Sequence, residues 1–364
     1  MNILQATAKY WTSLFGWFRT HPRKRVLVAG LAILIIILGG IGLAFALRQQ
    51  QSVAPAKAPR HTKSARKVTY YSPLTGKQIE TESALTQPVT AIMIENSPDA
   101  RPQSGLKDAG VVYEAIAEGG ITRFLALYQQ EKPALIGPVR SLRMYYVDWL
   151  APYQASAAHI GGSAAALAEI RNGTYRDIDQ FFNAPSYWRA TDRAAPHNVY
   201  TSFEKLDALN TAKGFNKSEF KSFARSDTPT SSQVTATSID FNFSSALYNT
   251  HYDYDASSRT YLRSVGGASH DDREKGRLAP HVVVAMHVDM TTVREDGIRG
   301  SIATTGTGKA EVFQNGIVIE CTWRKNSRTE PLELIAADGT PIELTRGQTW
   351  IGAIPNSTGG ASWQ

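Results

Sequence analysis

Cysteine occurs once in 364 residues, as Cys321. A single thiol allows no disulfide within the chain. Its position also rules out a lipid-modified Cys directly behind an N-terminal apolar segment. A fold of about 290 residues outside the cytoplasm then has to stand on its hydrophobic core, which a chain of that size can build. Acidic residues are absent from the first 67 positions, which hold eleven Lys or Arg. Of the 39 basic residues, 28 remain for positions 68–364 against 32 acidic ones, so the formal +7 conceals a net −4 there. A basic chain would ordinarily invite nucleic acid. Here the excess belongs to the N-terminus, and no nucleic-acid partner is expected.

Several signatures of chemistry are missing too. Thr305–Lys309 is a Gly-rich loop in a β region, not a phosphate or dinucleotide fingerprint. Ser141 and Ser163 lie in no G-x-S-x-G elbow. His251, Asp253 and Asp255, and likewise His270, Asp271 and Asp272, offer ligand types without zinc or calcium-loop spacing. Strand alternation would nonetheless put the first three on one face. Neither a metal nor a cofactor is expected. Cys321 falls in a strand-like run and reads as a small buried residue rather than a nucleophile. No internal repeat is visible.

What is present begins with Val26–Leu47, an uncharged run of 22 residues. As a helix it would span about 33 Å, close to a hydrocarbon core. Lys9, Arg19, Arg23, Lys24 and Arg25 precede it and favour an internal N-terminus. Trp11, Phe15, Trp17 and Phe18 would suit an interfacial helix before the span. Ala44-Phe45-Ala46 fits a small-x-small cleavage pattern, but the run exceeds a signal's apolar core of about 7–15 residues, so a retained anchor is favoured. The chain therefore divides into a cytoplasmic basic segment (1–25), a transmembrane anchor (26–47), a flexible linker (48–67), an α/β domain (68–215), a linker (216–237), a β-rich domain (238–355) and a tail (356–364).

Within 68–215, strand-like runs (89–94, 111–117, 124–128, 155–160) alternate with helical ones (163–171, 202–213). Thr201 with Glu204 reads as a capping box, and Gly214 as the stop. Beyond 238 the texture is β. Asn315-Gly316 and Asp338-Gly339 sit between apolar runs as hairpin turns, and 261–265, 281–288 and 350–354 complete a mostly antiparallel set. The fold class is α+β: a mixed α/β domain followed by a β-rich sandwich or barrel-like domain.

Candidate site residues concentrate between Glu95 and Arg143. They are Asn96, Arg101, Glu114, Glu118, Arg123, Arg140 and Arg143, of which the four arginines bring guanidinium forks matched to carboxylate or phosphate oxygens. Pairing with Glu95, Glu114 and Glu118 as structural salt bridges is the plainer alternative. A second cluster, Arg193, His197 and Asn198, adds a group able to exchange protons near neutrality. A His bonding backbone in a tight Pro turn explains it equally well.

Ile92–Phe124, Ile136–Ser141 and Ala195–Asn198 together resemble the YerB-like family, bacterial proteins classed as lipoproteins whose domain has no assigned function. The likeness continues through Tyr252-Asp253, Tyr261, His270 with Asp272, and Gly347–Ile351, covering about residues 85–355. The resemblance implies an extracytoplasmic, two-part protein. Residues matching its motif are Asn96, Arg101, Gln103, Ser104, Glu114, Glu118, Thr122, Arg123, Arg140, Arg193, His197 and Asn198, with no catalytic role attached. The missing Cys after the apolar run departs from a lipid-anchored pattern, so the spanning helix would replace the lipid.

The leading functional expectation is a cell-envelope binding or accessory module for an anionic or carbohydrate ligand, with a wall polymer or an envelope protein as partner. A second is a hydrolase using Glu114 or Glu118 with His197, which requires hydrogen-bond reach between them. A third is a protein scaffold presenting Trp323 and Trp350.

Overall fold

The computed structural model describes residue 16 and residues 22–49, 68–227, 233–294 and 298–364. Most of the basic segment, its aromatic residues and the linker from 50 to 67 lie outside the described residues. The chain forms two compact units, Met1–Lys67 and Val68–Gln364. In the first, Pro22–Gln49 is a single helix, α1. Its stretch Val26–Ala44 is long and apolar enough to cross a membrane.

In the second unit, ten strands share one sheet. Its N-terminal members are β1 (Thr90–Glu95), β2 (Val111–Glu118), β3 (Ile121–Tyr128), β4 (Ser156–Ala158) and β5 (Arg176–Asp177). A second sheet contains β6 (Ser238–Asn242), β7 (Thr250–Asp255), β8 (Thr260–Val265) and β9 (Ala268–Ser269). The chain returns to the large sheet through β10 (Val282–Val288), and β11 (Met290–Arg294) and β12 (Ile298–Ile302) form a separate hairpin. The remaining strands are β13 (Gly306–Gln314), β14 (Ile317–Lys325), β15 (Glu333–Ile335), β16 (Thr349–Pro355) and β17 (Gly360–Trp363). The large sheet runs β15-β14-β13-β10-β16-β2-β3-β1-β4-β5, and the small one β9-β8-β7-β6-β17.

The two expected segments are joined through one sheet. β16 lies between β10 and β2 and pairs parallel with both, so the segments 68–215 and 238–355 share one sheet within one compact unit. β1, TAIMIE, is buried along its whole length, as central strands covered on both faces are. The expected sandwich layer exists, but it closes over the shared sheet. Phe241 and Tyr252 of the small sheet pack with Ile116, Val283 and Phe313 of the large one.

Two expected connections are also built in. Arg225–Ser226, inside the expected linker 216–237, pairs parallel with Leu344–Thr345. β17, inside the expected tail, pairs with β6. Helix α2 (Met144–Leu150) has no side-chain cap, whereas α3 (Ala164–Ile170) and α4 (Phe203–Ala212) open on Ser caps. The cap of α4 is Ser202, which accepts from Lys205 N, whereas Thr201 belongs to a short strand. Asn315 and Gly316 both take positive φ, +53° and +75°, as the hairpin turn between β13 and β14 demands.

Candidate functional site

Strand direction gathers the polar residues at one end of the sheet. β1, β4 and β5 run parallel in sequence, and β3 pairs antiparallel with both β1 and β2. Glu95, Glu118 and Asp177 therefore end their strands on the same side where Arg123 opens β3. The carboxyl ends of strands are where open α/β sheets place ligand-binding groups.

Three of the expected residues instead serve the interior. Glu114 is fully buried, and its Oε2 accepts from Arg263 Nη2 at 2.7 Å and Trp350 Nε1 at 3.1 Å. Its Oε1 accepts from Thr122 Oγ1 at 2.9 Å and Asn96 Nδ2 at 3.4 Å. Asn96 Oδ1 takes Arg101 Nε and Gln103 Nε2, at 3.0 and 3.1 Å. Arg263 also donates to Tyr252 OH and, at 2.9 Å, to His270 Nδ1. His270 is held well below the usual imidazole range, first by burial and then by Arg263, Arg101 and Arg277. It is therefore neutral, with its proton on Nε2 facing Gln103 Oε1 at 2.9 Å. Burial also lowers Arg101. This network is a satisfied polar core. Glu114, with both oxygens occupied and no solvent, cannot serve a substrate.

Glu118 closes a second group. Its Oε1 accepts from Arg123 Nη2 at 2.9 Å and its Oε2 from Arg143 Nη2 at 2.7 Å and Nε at 3.1 Å. Both guanidiniums are nearly buried and also donate to backbone, Arg123 to Ser141 O and Arg143 to Leu142 O. Burial opposes ionisation of Glu118, and the Arg123 and Arg143 charges overcome it, leaving the carboxyl below its usual range. The salt-bridge alternative is therefore the arrangement at these residues.

The rim is different. Glu95 Oε1 accepts from His197 Nδ1 at 2.9 Å and Ser97 Oγ at 3.0 Å, and Arg140 Nε pairs with it at 3.2 Å. The Glu95 side chain is 5% exposed, against 21% for His197 and 25% for Arg140. On the other side of the ring, His197 Nε2 lies 3.9 Å from Asp99 Oδ2. Among the described residues, the terminal nitrogens of Arg140 meet no hydrogen-bonding partner. Glu95 Oε2 and Arg123 Nε are buried without partners, on residues directly opposite each other across β1 and β3.

Arg193 and Asn198 shape the loop that carries His197. Arg193 donates to Asp99 O at 3.0 Å and Pro102 O at 2.6 Å. Asn198 holds Ala190 O and Arg193 O and accepts from Arg189. The carboxylate facing His197 is thus Glu95, not Glu114 or Glu118, which corrects the acid–base pairing expected from the sequence.

Residues missed by sequence reasoning include Arg263 and Ser97. For Arg263 a signal existed, because two-residue alternation in β8 puts it on the same buried face as Tyr261 and Val265. His251 does lie between Asp240 and Asp253, at 2.8 and 3.0 Å. Among the described residues, no His, Cys, Asp and Glu side chains group so as to hold a metal ion. Trp323 and Trp350 are buried, which removes the anchors of the scaffold reading. Burial pushes the Cys321 thiol up to about 12, with Glu311 adding to it.

Comparison with known proteins agrees with the motif resemblance. A model described as the N-terminal domain of a protein of unknown function, DUF3048, matches residues 74–216. Its C-terminal counterpart matches residues 239–351. YerB of Bacillus subtilis (strain 168), named as a presumed lipoprotein, is 33% identical over 291 residues, covering 78% of this chain and 86% of the relative. The crystal structure of YerB from Bacillus subtilis aligns with a TM-score of 0.72 at 30% identity, over 80% of this chain and 99% of that one. The chain belongs to the YerB-like DUF3048 family, a family of unknown function.

Proposed function

We propose that this protein is an extracytoplasmic binding module held at the membrane by α1, and that it takes an anionic ligand between Arg140 and His197. The carrying observation is that one buried carboxylate oxygen, Glu95 Oε1, positions both groups. Arg140 spends only Nε on that oxygen, so its outer fork can meet a carboxylate or phosphate bidentately. The His197 ring, bonded to the same Glu95 oxygen, is 21% exposed. A wall polymer or an envelope protein bearing such groups is the partner. The envelope placement draws on the length and composition of Val26–Ala44 and on the name of the lipoprotein relative. Protease added to intact cells should digest residues 68–364 while sparing the N-terminus, and protection of the whole chain would refute the orientation.

The binding reading is tested by titrating the full chain with isolated anionic wall polymer. Arg140→Ala should weaken binding at least tenfold, about 1.4 kcal/mol; equal affinity would remove the assigned site. The Glu95–His197 pair favours a second reading, because a carboxylate that orients imidazole also prepares a general base. Release of alcohol or phosphate from the same polymer, abolished in His197→Ala, would establish it.

A further inference from the structure

Two aromatic side chains stand in solvent beside this edge. Phe181 is 67% exposed and Phe182 71%. They occupy the turn that follows β5, and that turn is pinned from below. Asp179 is fully buried; its Oδ1 accepts from Gly161 N at 3.1 Å and Phe181 N at 3.2 Å, and its Oδ2 from Arg171 Nη2 at 2.6 Å. Its carbonyl takes Asn183 Nδ2 at 2.8 Å and Phe182 N at 3.1 Å. The exposure of the rings is thus a property of a tightly bonded turn.

The turn borders the Arg140 segment. A Cβ on Gly161 would meet Phe181 Cε2 at 3.2 Å, so the ring lies against that glycine. Gly161 O accepts from Leu142 N, and Ile160 N donates to Arg140 O. β1, β4 and β5 are adjacent and parallel, with Asp177 level with Ala157 and Ala91, and Gln180 N then donates to His159 O, so the chain follows β4 onward before it turns. The Arg171 guanidinium lies 4.9 Å from the centre of the Phe182 ring, its charge already committed to Asp179.

We infer that Phe181 and Phe182 are the stacking platform of the proposed Arg140–His197 site, and that its ligand is a glycan or polyol polymer carrying phosphate or carboxylate groups. The inference rests on the binding reading and deepens it. The C–H face of a sugar ring buries apolar surface against an aromatic ring, while its anionic substituent meets the Arg140 fork. An inorganic anion has no use for the rings. A bilayer surface calls for a broad apolar face with Lys and Arg around it, and the cation at Phe182, Arg171, is already paired with a carboxylate.

The test uses the full chain in nanodiscs of uncharged lipid, with three probes: phosphate-bearing wall polymer purified from Bacillus subtilis, inorganic phosphate, and vesicles containing anionic phospholipid. The double variant Phe181→Ala/Phe182→Ala should bind the polymer about tenfold more weakly, with unchanged phosphate affinity and an unchanged melting temperature. Arg140→Ala should lose both polymer and phosphate. Wild-type polymer affinity in the double variant overturns the platform, and so does a Phe-dependent attachment to vesicles without polymer binding. Loss in the double variant with full binding by Arg140→Ala keeps the platform and refutes the Arg140 site. No polymer binding by the wild-type chain overturns both.

Discussion

Glu114 and Arg263, 149 residues apart in sequence, form an ion pair of 2.7 Å with neither side chain exposed to solvent. The pair joins β2 of the large sheet to β8 of the small one. Their remaining hydrogen-bonding groups are met by Thr122, Trp350, Tyr252 and His270. Removing one partner strands a buried charge, which typically costs about 3–5 kcal/mol. Glu114→Gln and Arg263→Met should each lower the unfolding free energy by that order, and the double variant by clearly less than the sum. Urea melts of the four proteins give the coupling directly; strict additivity would show that the two residues act independently.

The Arg residues of the sequence motif should separate by experiment into two kinds. Arg140→Ala removes a rim cation with an open fork, so stability should change by about 1 kcal/mol or less while anion binding falls. Arg123→Ala leaves Glu118 with one partner fewer and deletes the donor to Ser141 O. It should destabilise by about 2 kcal/mol or more. Parallel thermal melts and binding titrations would reveal any variant that behaves the opposite way.

Acid sensitivity should have a contribution from His270. Its folded pKa is depressed, chiefly by burial, so the unfolded chain takes up a proton that the folded one refuses. Stability from this source is full above the unfolded value of about 6.5 and is lost as pH falls below it, with a limiting slope of about 1.4 kcal/mol per unit. In His270→Gln that part of the slope should vanish between pH 6.5 and 5. A variant as acid-sensitive as the parent would assign the effect elsewhere.

Cys321 should be nearly inert in the folded protein. With its pKa at about 12, roughly one molecule in ten thousand carries thiolate at pH 8, and the thiolate is the reacting form. Reaction with an aromatic disulfide reagent should therefore be slow and should rise by orders of magnitude in urea. A fast reaction without denaturant would contradict the burial.

Elements with a local cause could be read from the sequence. The apolar stretch within α1 follows from composition, α4 from the expected helical run and Gly214 (although its cap is Ser202 rather than Thr201), and the β13–β14 hairpin from Asn315-Gly316, whose backbone needs positive φ. The polar edge was legible as a density of residue types, not as an arrangement. Arg263 was missed, although alternation within β8 puts it on the buried face of Tyr261 and Val265.

The insertion of β16 between β10 and β2 belongs to the tertiary structure alone. A parallel pair has no connecting turn whose chemistry could announce it, and that pairing joins the two segments in one sheet. The same closure chose Glu95 over Glu114 and Glu118 as the carboxylate for His197, across 102 residues. Residue type and spacing determined which groups were available. Strand direction and burial decided that Glu114 would neutralise Arg263 inside, that Glu118 would engage Arg123 and Arg143, and that Arg140 would keep its fork toward solvent. Those choices follow from which charges could be paired once the sheet excluded water.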